Sequence, residues 1–348
     1  MKQVITAFAG YGSGGSIYNA PILKSVEGFT VKKILTSSPK NIEAAKKDFP
    51  KAEIVSNYSK ILEDPEIELV ILVLPNHLHF DFAEKALKAG KNVLTEKPFT
   101  PHVREANELI KLAHEKNLLL SVHHNRRWDS DYLSLKKVVE NGLLGRVVEY
   151  EAHFDRFRNQ VKSGWKEQKE NPGSGILYDL GSHLIDQALN LFGLPQEIFA
   201  DIRTQRDGAT VPDAFELLLF YPQLKVTLKA GTLVKEKGPT YQVFGTRGSF
   251  VKYGADPQEE FLKNGISPKD TPNWGMEPKE IWGRLNTINE ERLVESERGN
   301  YPFLYQNLYN VLTRGESPAV TPQQARDVIR VIEAAQQSHD ERRVITFG

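Results

Sequence analysis

Cysteine is absent from the chain. That excludes disulfides, zinc-thiolate centres and cysteine nucleophiles together, and it fits a reducing compartment. An excess of one charge is absent too, since 45 basic residues balance 45 acidic ones, and no Lys/Arg run forms a local patch. The balance gives no footing to the sequence-independent phosphate attraction that nucleic-acid binding relies on, so neither nucleic acid nor a membrane surface is expected as a partner. No apolar run approaches the roughly 18 residues that span a bilayer, and the apolar start is too short for a signal peptide and lacks a small-residue cleavage site. A soluble, cytoplasmic protein is expected. Internal repeats and low-complexity tracts are missing as well.

What is present divides into two halves. At 348 residues the chain has room for two domains of roughly 100 to 200 residues each. The first half alternates strand and helix signals, with Gln3–Ala9, Phe29–Leu35, Glu53–Val55, Leu69–Leu74, Asn92–Leu94 and Leu118–Val122 reading as strands. Leu69–Leu74 is apolar throughout, as a parallel strand covered on both faces should be. Helical stretches run from His79 to Leu87 and from Pro101 to Lys116, the latter with Thr100 as cap. This half reads as α/β, a doubly wound parallel sheet over residues 1–122. From 123 to 348 the pattern is α+β with a largely antiparallel sheet: strand-like runs at Arg146–Phe154, Ala214–Tyr221, Lys225–Leu233, Tyr241–Gly245 and Ser249–Tyr253 surround one strong helix, Ile176–Phe192. The proline-rich stretch Ala255–Lys279 reads as a long irregular loop. Helices at Phe303–Arg314 and Gln323–Ser338 close the chain.

The first strand runs directly into Gly10-Tyr11-Gly12-Ser13-Gly14-Gly15, the strand-then-glycine layout of a dinucleotide-binding unit. There Gly10 permits a tight turn, Gly12 lets backbone approach a pyrophosphate, and Gly15 lets the helix pack on the strand. An NAD site usually carries an acidic residue about 20 positions on, to hold the ribose hydroxyls. This chain has Thr36-Ser37-Ser38-Pro39-Lys40 instead. Hydroxyls and a lysine are good donors to a 2′-phosphate, so NADP is expected ahead of NAD. Pro75-Asn76, with His79 opening the next helix, and Glu96-Lys97-Pro98 after the fifth strand lie on the same rim, outside the carboxyl ends of the strands. Lys97 is thereby expected beside the reactive nicotinamide ring.

In the second half, Asp179, His183, Asp186 and Asn190 recur at helical spacing and form one polar stripe on a mostly apolar helix. Lining a cavity, that stripe would place a histidine to take a proton and an aspartate to orient its ring. A satisfied core histidine and a metal-ligating one are the alternatives; no further ligand cluster is evident, and no metal site is expected. Asn125-Arg126-Arg127-Trp128-Asp129 follows the last strand of the first half. One arginine is expected to pair with Asp129 or Asp131. The other, taken as Arg127, is expected to meet cofactor, with Asn125 toward substrate.

Taken together, Gly10 to Gly15, Glu96-Lys97-Pro98 and Asp179-Leu180-Gly181-Ser182-His183 resemble the signature of the Gfo/Idh/MocA oxidoreductases, the glucose-fructose oxidoreductase and inositol dehydrogenase family. The match runs through essentially the whole chain in the family's order. Within it, His124 to Asp129, Leu177 to His183 and Gly248 to Gly254 are most similar to the NADP-dependent scyllo-inositol 2-dehydrogenases. The resemblance implies a Rossmann domain followed by an open-faced sheet domain, with subunits associating through the sheets as a homodimer or homotetramer. It also implies that Lys97 contacts the nicotinamide ribose and the reacting hydroxyl, and that Asp179 and His183 act on that hydroxyl's far side. Where some relatives use acidic and amide groups for polyol contact, this chain has Asp155-Arg156-Phe157-Arg158, so Arg156 and Arg158 are its candidate substrate contacts. A small polyol or sugar is the expected substrate. The rivals are a reductase of another sugar or carbonyl compound, and a non-catalytic NADP(H)-sensing regulator.

Overall fold

The computed structural model describes residues 2–161 and 164–347. Met1, Lys162, Ser163 and Gly348, which fall within the expected domain spans, lie outside the described residues. The chain divides into two compact units, and the division is not a single cut. The first unit comprises Met1–Asn125 with Gln258–Trp274 and Asn300–Arg326, and the second takes the rest.

In the first unit β1 (Val4–Ala9), β2 (Phe29–Leu35), β3 (Glu53–Val55), β4 (Leu69–Leu72), β5 (Asn92–Thr95) and β6 (Leu120–Val122) form one sheet. Its order is β3-β2-β1-β4-β5-β6 and every pairing is parallel. The helices between strands are α1 (Ala20–Ser25), α2 (Pro39–Asp48), α3 (Ser59–Leu62), α4 (His79–Lys88) and α5 (Val103–Lys116). All four residues of β4 are buried, and at about 1.5–3 kcal/mol per fully buried aliphatic side chain such a strand is a main anchor of the sheet. Helix α5 begins two residues later than its proline suggests. Thr100 Oγ1 donates to the His102 carbonyl at 2.8 Å and the Glu105 carboxylate accepts from the His102 N–H at 3.3 Å, so the hydrogen bonds that open the helix centre on His102.

The second unit holds α6 (Ser130–Glu140), β7 (Val147–His153) and α7 (Ser182–Phe192), then β8 (Glu197–Arg203), β9 (Ala214–Tyr221), β10 (Leu224–Gly231), β11 (Tyr241–Gly245) and β12 (Gly248–Lys252). With β13 (Gly283–Thr287), β14 (Glu291–Val294) and β15 (Ile345–Thr346) the strands form a second sheet, ordered β14-β13-β12-β11-β7-β10-β9-β8-β15. All its pairings are antiparallel except β7 with β10. In β9 Phe215, Leu217 and Leu219 are buried while Glu216 is exposed, the alternation of a sheet with one covered face. The helix carrying the polar stripe packs on that covered face. A Cβ on Gly181 would stand 3.3 Å from the Phe215 ring, so glycine there permits the approach.

Two later segments return to the first unit. One contains α8 (Gln258–Lys263), where an irregular loop was expected, and the other α9 (Pro302–Arg314). The loop expectation rested on prolines, but those of 255–279 flank the six-residue helix and do not interrupt it. The final helix, α10 (Pro322–Glu341), begins in the first unit and ends in the second. Among the described residues no helix is long and apolar enough to cross a membrane.

Candidate active site

Because β1 to β6 are parallel, their carboxyl ends share one edge, and the glycine loop, Thr36 to Lys40, Pro75-Asn76 and Glu96-Lys97 all follow strands at that edge. Gly10 has φ +94° and a Cβ there would fall 2.2 Å from the Val73 carbonyl oxygen, so no other residue fits. Gly14 presses on Val73 and Gly15 on the Tyr11 ring, whereas a Cβ on Gly12 would meet nothing within 4 Å. Open space at Gly12 is what a pyrophosphate passing close to backbone requires. Ser13 is exposed beside it.

The Tyr11 side chain turns away from the loop surface. It is 1% exposed and packs edge-on against Phe8, and its hydroxyl donates to Asp48 Oδ2 at 2.8 Å. Burial, then the Asp48 charge, push its pKa far up. The Tyr11 side chain is therefore committed to the interior of the unit. At the end of β2, Thr36 is half-buried while Ser37, Ser38 and Lys40 are exposed. No carboxylate stands among these five residues, so the donor set suits a phosphate better than a ribose diol.

His79, expected at the cofactor, lies inside the first unit. It is fully buried, with its ring nitrogens 2.9 Å from the Leu74 and Pro98 carbonyl oxygens, and burial lowers its pKa. It stands between the end of β4 and the segment carrying Lys97. Glu96 is likewise committed inward. Its Oε1 accepts from Asn19 Nδ2 at 2.7 Å and lies 3.1 Å from His123 Nδ1, while Oε2 accepts the Lys97 backbone N–H at 3.2 Å. Burial pushes this carboxyl up, but the His123 charge and hydrogen bond, with Asn19 and Lys97, outweigh it and hold the pKa at about 2. Lys97 itself is half-buried, and Asn76 is 5% exposed beside Pro75.

In the second unit Asp179, Asp186 and Asn190 of the polar stripe have hydrogen-bond partners. The helix opens with a wide π turn, Leu177–Gly181, before α7, a distortion that recurs at functional sites. On that turn Asp179 Oδ1 accepts from Lys166 Nζ at 2.6 Å. Lys166 has no counterpart among the residues the sequence points to, because a half-exposed lysine on the short 3-10 turn Trp165–Glu167 carries no local signal. One turn on, His183 is 6% exposed. Asp186 receives two hydrogen bonds from Arg127, Nε to Oδ2 at 2.8 Å and Nη2 to Oδ1 at 2.6 Å. Asn190 accepts from the Tyr132 hydroxyl at 2.7 Å. The two carboxylates flanking His183 are thus each already matched to a cation, which weakens the metal alternative.

Arg127, expected at the cofactor, is the buried counter-ion of Asp186. A guanidinium only 6% exposed needs such a partner. Burial alone would lower its pKa, and the Asp186 charge more than reverses this. Its neighbour Arg126 pairs with Asp129 at 3.0 Å, as one of the two arginines was expected to do. Arg126 and Arg156 also lie over the ring of Phe154, each 4.8 Å from its centroid. Arg158 is exposed, and its backbone N–H is tied to the Thr232 carbonyl at 2.7 Å. Asn125, half-buried, begins a short 3-10 turn that runs to Trp128.

Comparison with known proteins gives consistent matches. A family model described as "Oxidoreductase family, NAD-binding Rossmann fold" matches residues 4–124, and one described as "Oxidoreductase family, C-terminal alpha/beta domain" matches residues 136–347. The chain is 41% identical over 340 residues to scyllo-inositol 2-dehydrogenase (NADP(+)) IolW of Bacillus subtilis, covering 97% of this chain and 94% of that protein. It is 42% identical to the uncharacterized oxidoreductase YdgJ of Escherichia coli, with 97% of each chain covered. Among solved structures, yvaA from Bacillus subtilis superposes with a TM-score of 0.95 at 39% identity, covering 100% of this chain and 99% of that one.

Proposed function

The chain belongs to the Gfo/Idh/MocA oxidoreductase family, and on that premise we propose that it is an NADP-dependent dehydrogenase reversibly oxidising a secondary alcohol of a cyclic polyol, with scyllo-inositol as its substrate. The observation that carries the substrate half is the 41% identity to IolW over 97% of the chain. The cofactor half is supported by the carboxylate-free, hydroxyl- and lysine-bearing end of β2.

When bound, the nicotinamide supplies a hydride acceptor at C4. The backbone amides from Gly10 to Gly15 hold the pyrophosphate, and Thr36, Ser37 and Lys40 donate to the 2′-phosphate. Pro75 and Asn76 border the same rim. As the alcohol becomes a ketone, its carbon loses a hydride and its oxygen a proton. His183 takes that proton, and Asp179, balanced by Lys166, orients the imidazole. Lys97 donates to the oxygen while it carries negative charge. Asn125, Arg156 and Arg158 contact the remaining hydroxyls.

A positioned acid or base of this kind contributes about 10²- to 10⁴-fold. Lys97→Met and His183→Asn are each expected to lower kcat by at least about 100-fold, with NADPH binding retained in His183→Asn. Near wild-type turnover of scyllo-inositol by either variant would refute these roles for Lys97 and His183.

A further inference from the structure

The residues on either side of Lys97 are both tied down, and the ties lead away from any surface a substrate can reach. On one side His79 holds the Pro98 carbonyl. On the other, a closed ring of contacts holds Glu96. The Tyr305 hydroxyl, on α9, donates to Asn19 Oδ1 at 2.5 Å across 286 residues of sequence. Asn19 Nδ2 then donates to Glu96 Oε1 at 2.7 Å and also to the Gly14 carbonyl of the glycine loop at 3.0 Å. Glu96 meets His123 at 3.1 Å, and the His123 ring packs on the Tyr305 ring with centroids 5.9 Å apart, which closes the circuit. Tyr305 and Asn19 are fully buried and His123 is 4% exposed.

Core packing alone does not call for this arrangement, since four polar side chains at the heart of a unit are costly unless each is satisfied. Here they are, and the circuit touches both the cofactor loop and the residue before Lys97. We propose that the Tyr305–Asn19–Glu96–His123 circuit is a positioning device for Lys97, registering it against the glycine loop and placing a fixed carboxylate behind its amine. Asn19, Glu96, His123 and Tyr305 are positioning residues that act without touching substrate. The proposal rests on Lys97 acting as the hydrogen-bond donor to the reacting oxygen.

The Glu96 charge is the active part. The Lys97 charge stabilises ionised Glu96, and the effect is reciprocal, so Glu96 favours the protonated, hydrogen-bond-donating form of Lys97. The other titratable groups facing Glu96 are His123, His79 from α4 and Tyr305 from α9.

The test needs neither cofactor nor substrate. The rate at which an amine-reactive reagent, trinitrobenzenesulfonate, labels Lys97 is followed against pH by peptide mass spectrometry. Removing a neighbouring opposite charge moves a titration by about one unit or more, so Glu96→Gln should raise labelling near pH 8 about ten-fold, while Glu96→Asp, which keeps the charge, stays near wild type. Tyr305→Phe removes one oxygen at the far end of the circuit and keeps the ring, so it serves should Glu96→Gln fail to fold; about a three-fold rise is expected. Wild-type labelling curves in a folded Glu96→Gln, or in Tyr305→Phe, overturn the proposal. Full turnover by Lys97→Met would instead overturn the donor role, and the labelling result distinguishes the two failures.

Discussion

Asp131 should be neutral in the folded protein through much of the acidic range, and replacing it with asparagine exposes the cost of ionising it. The side chain sits 3% exposed at the start of α6, in a group that also holds Asp256, Glu277 and Lys252. Lys252 and Glu277 pair at 3.0 Å with both side chains fully buried. Asp256 accepts from the Ser130 N–H at 2.7 Å, and Glu277 from the Ser130 hydroxyl at 2.8 Å. Three carboxylates thus share one ammonium. Burial first, then the Asp256 and Glu277 charges, push Asp131 up to about 7, against the opposing pull of Lys252 and the Tyr132 N–H.

Between about pH 4, where the unfolded carboxyl titrates, and about pH 7, the native state binds the extra proton, so stability falls as pH rises through that window and the penalty is complete above it. Three units at 1.36 kcal/mol each set an upper bound of about 4 kcal/mol. Asp131→Asn keeps an oxygen to accept from the Tyr132 N–H and carries no charge. Urea-unfolding midpoints should therefore show the variant more stable than wild type near pH 8 by about 2–4 kcal/mol, with the gap closing toward about pH 4. A variant less stable than wild type by the same amount at both pH values would refute the reasoning.

Arg127→Leu leaves Asp186 charged and buried and should cost about 3–5 kcal/mol of stability, whereas Arg127→Leu with Asp186→Leu should recover most of it. With Arg127 serving Asp186, the double variant should keep wild-type NADPH affinity by fluorescence titration; a loss of ten-fold or more would mark Arg127 as a cofactor contact. At the end of β2, Lys40→Ala should weaken NADPH binding about ten-fold with little effect on NADH, and Ser37→Asp should invert the preference. Equal losses for both nucleotides would refute a 2′-phosphate site.

The first unit is readable from sequence because its central strands are buried on both faces, so β1 and β4 stand out as apolar runs and the glycine loop follows at once. Half-covered strands hide better. β8 carries Glu197, Asp201 and Arg203, and β13 and β14 carry Arg284, Glu291 and Arg292, so none showed as an apolar run. Helix α8 was masked by the prolines around it. At the site, local motifs mark residues but not the partners their side chains meet. His79 and Arg127 stand in the expected places, yet their side chains are consumed by partners that no spacing announces: the Leu74 and Pro98 carbonyls, and an aspartate 59 residues on. The Tyr305–Asn19 bond and the Lys252–Glu277 pair were invisible for the same reason, since they join segments far apart in the chain.

The central claim meets its most direct test in the absorbance of reduced nicotinamide as the purified protein is mixed with NADP+ or NAD+ and scyllo-inositol, myo-inositol, glucose and other cyclic polyols. Turnover with scyllo-inositol and NADP+ is the expected result, with slower turnover on NAD+. Silence across the panel while NADPH still binds would contradict the claim, and would point to another carbonyl substrate or to a nucleotide sensor.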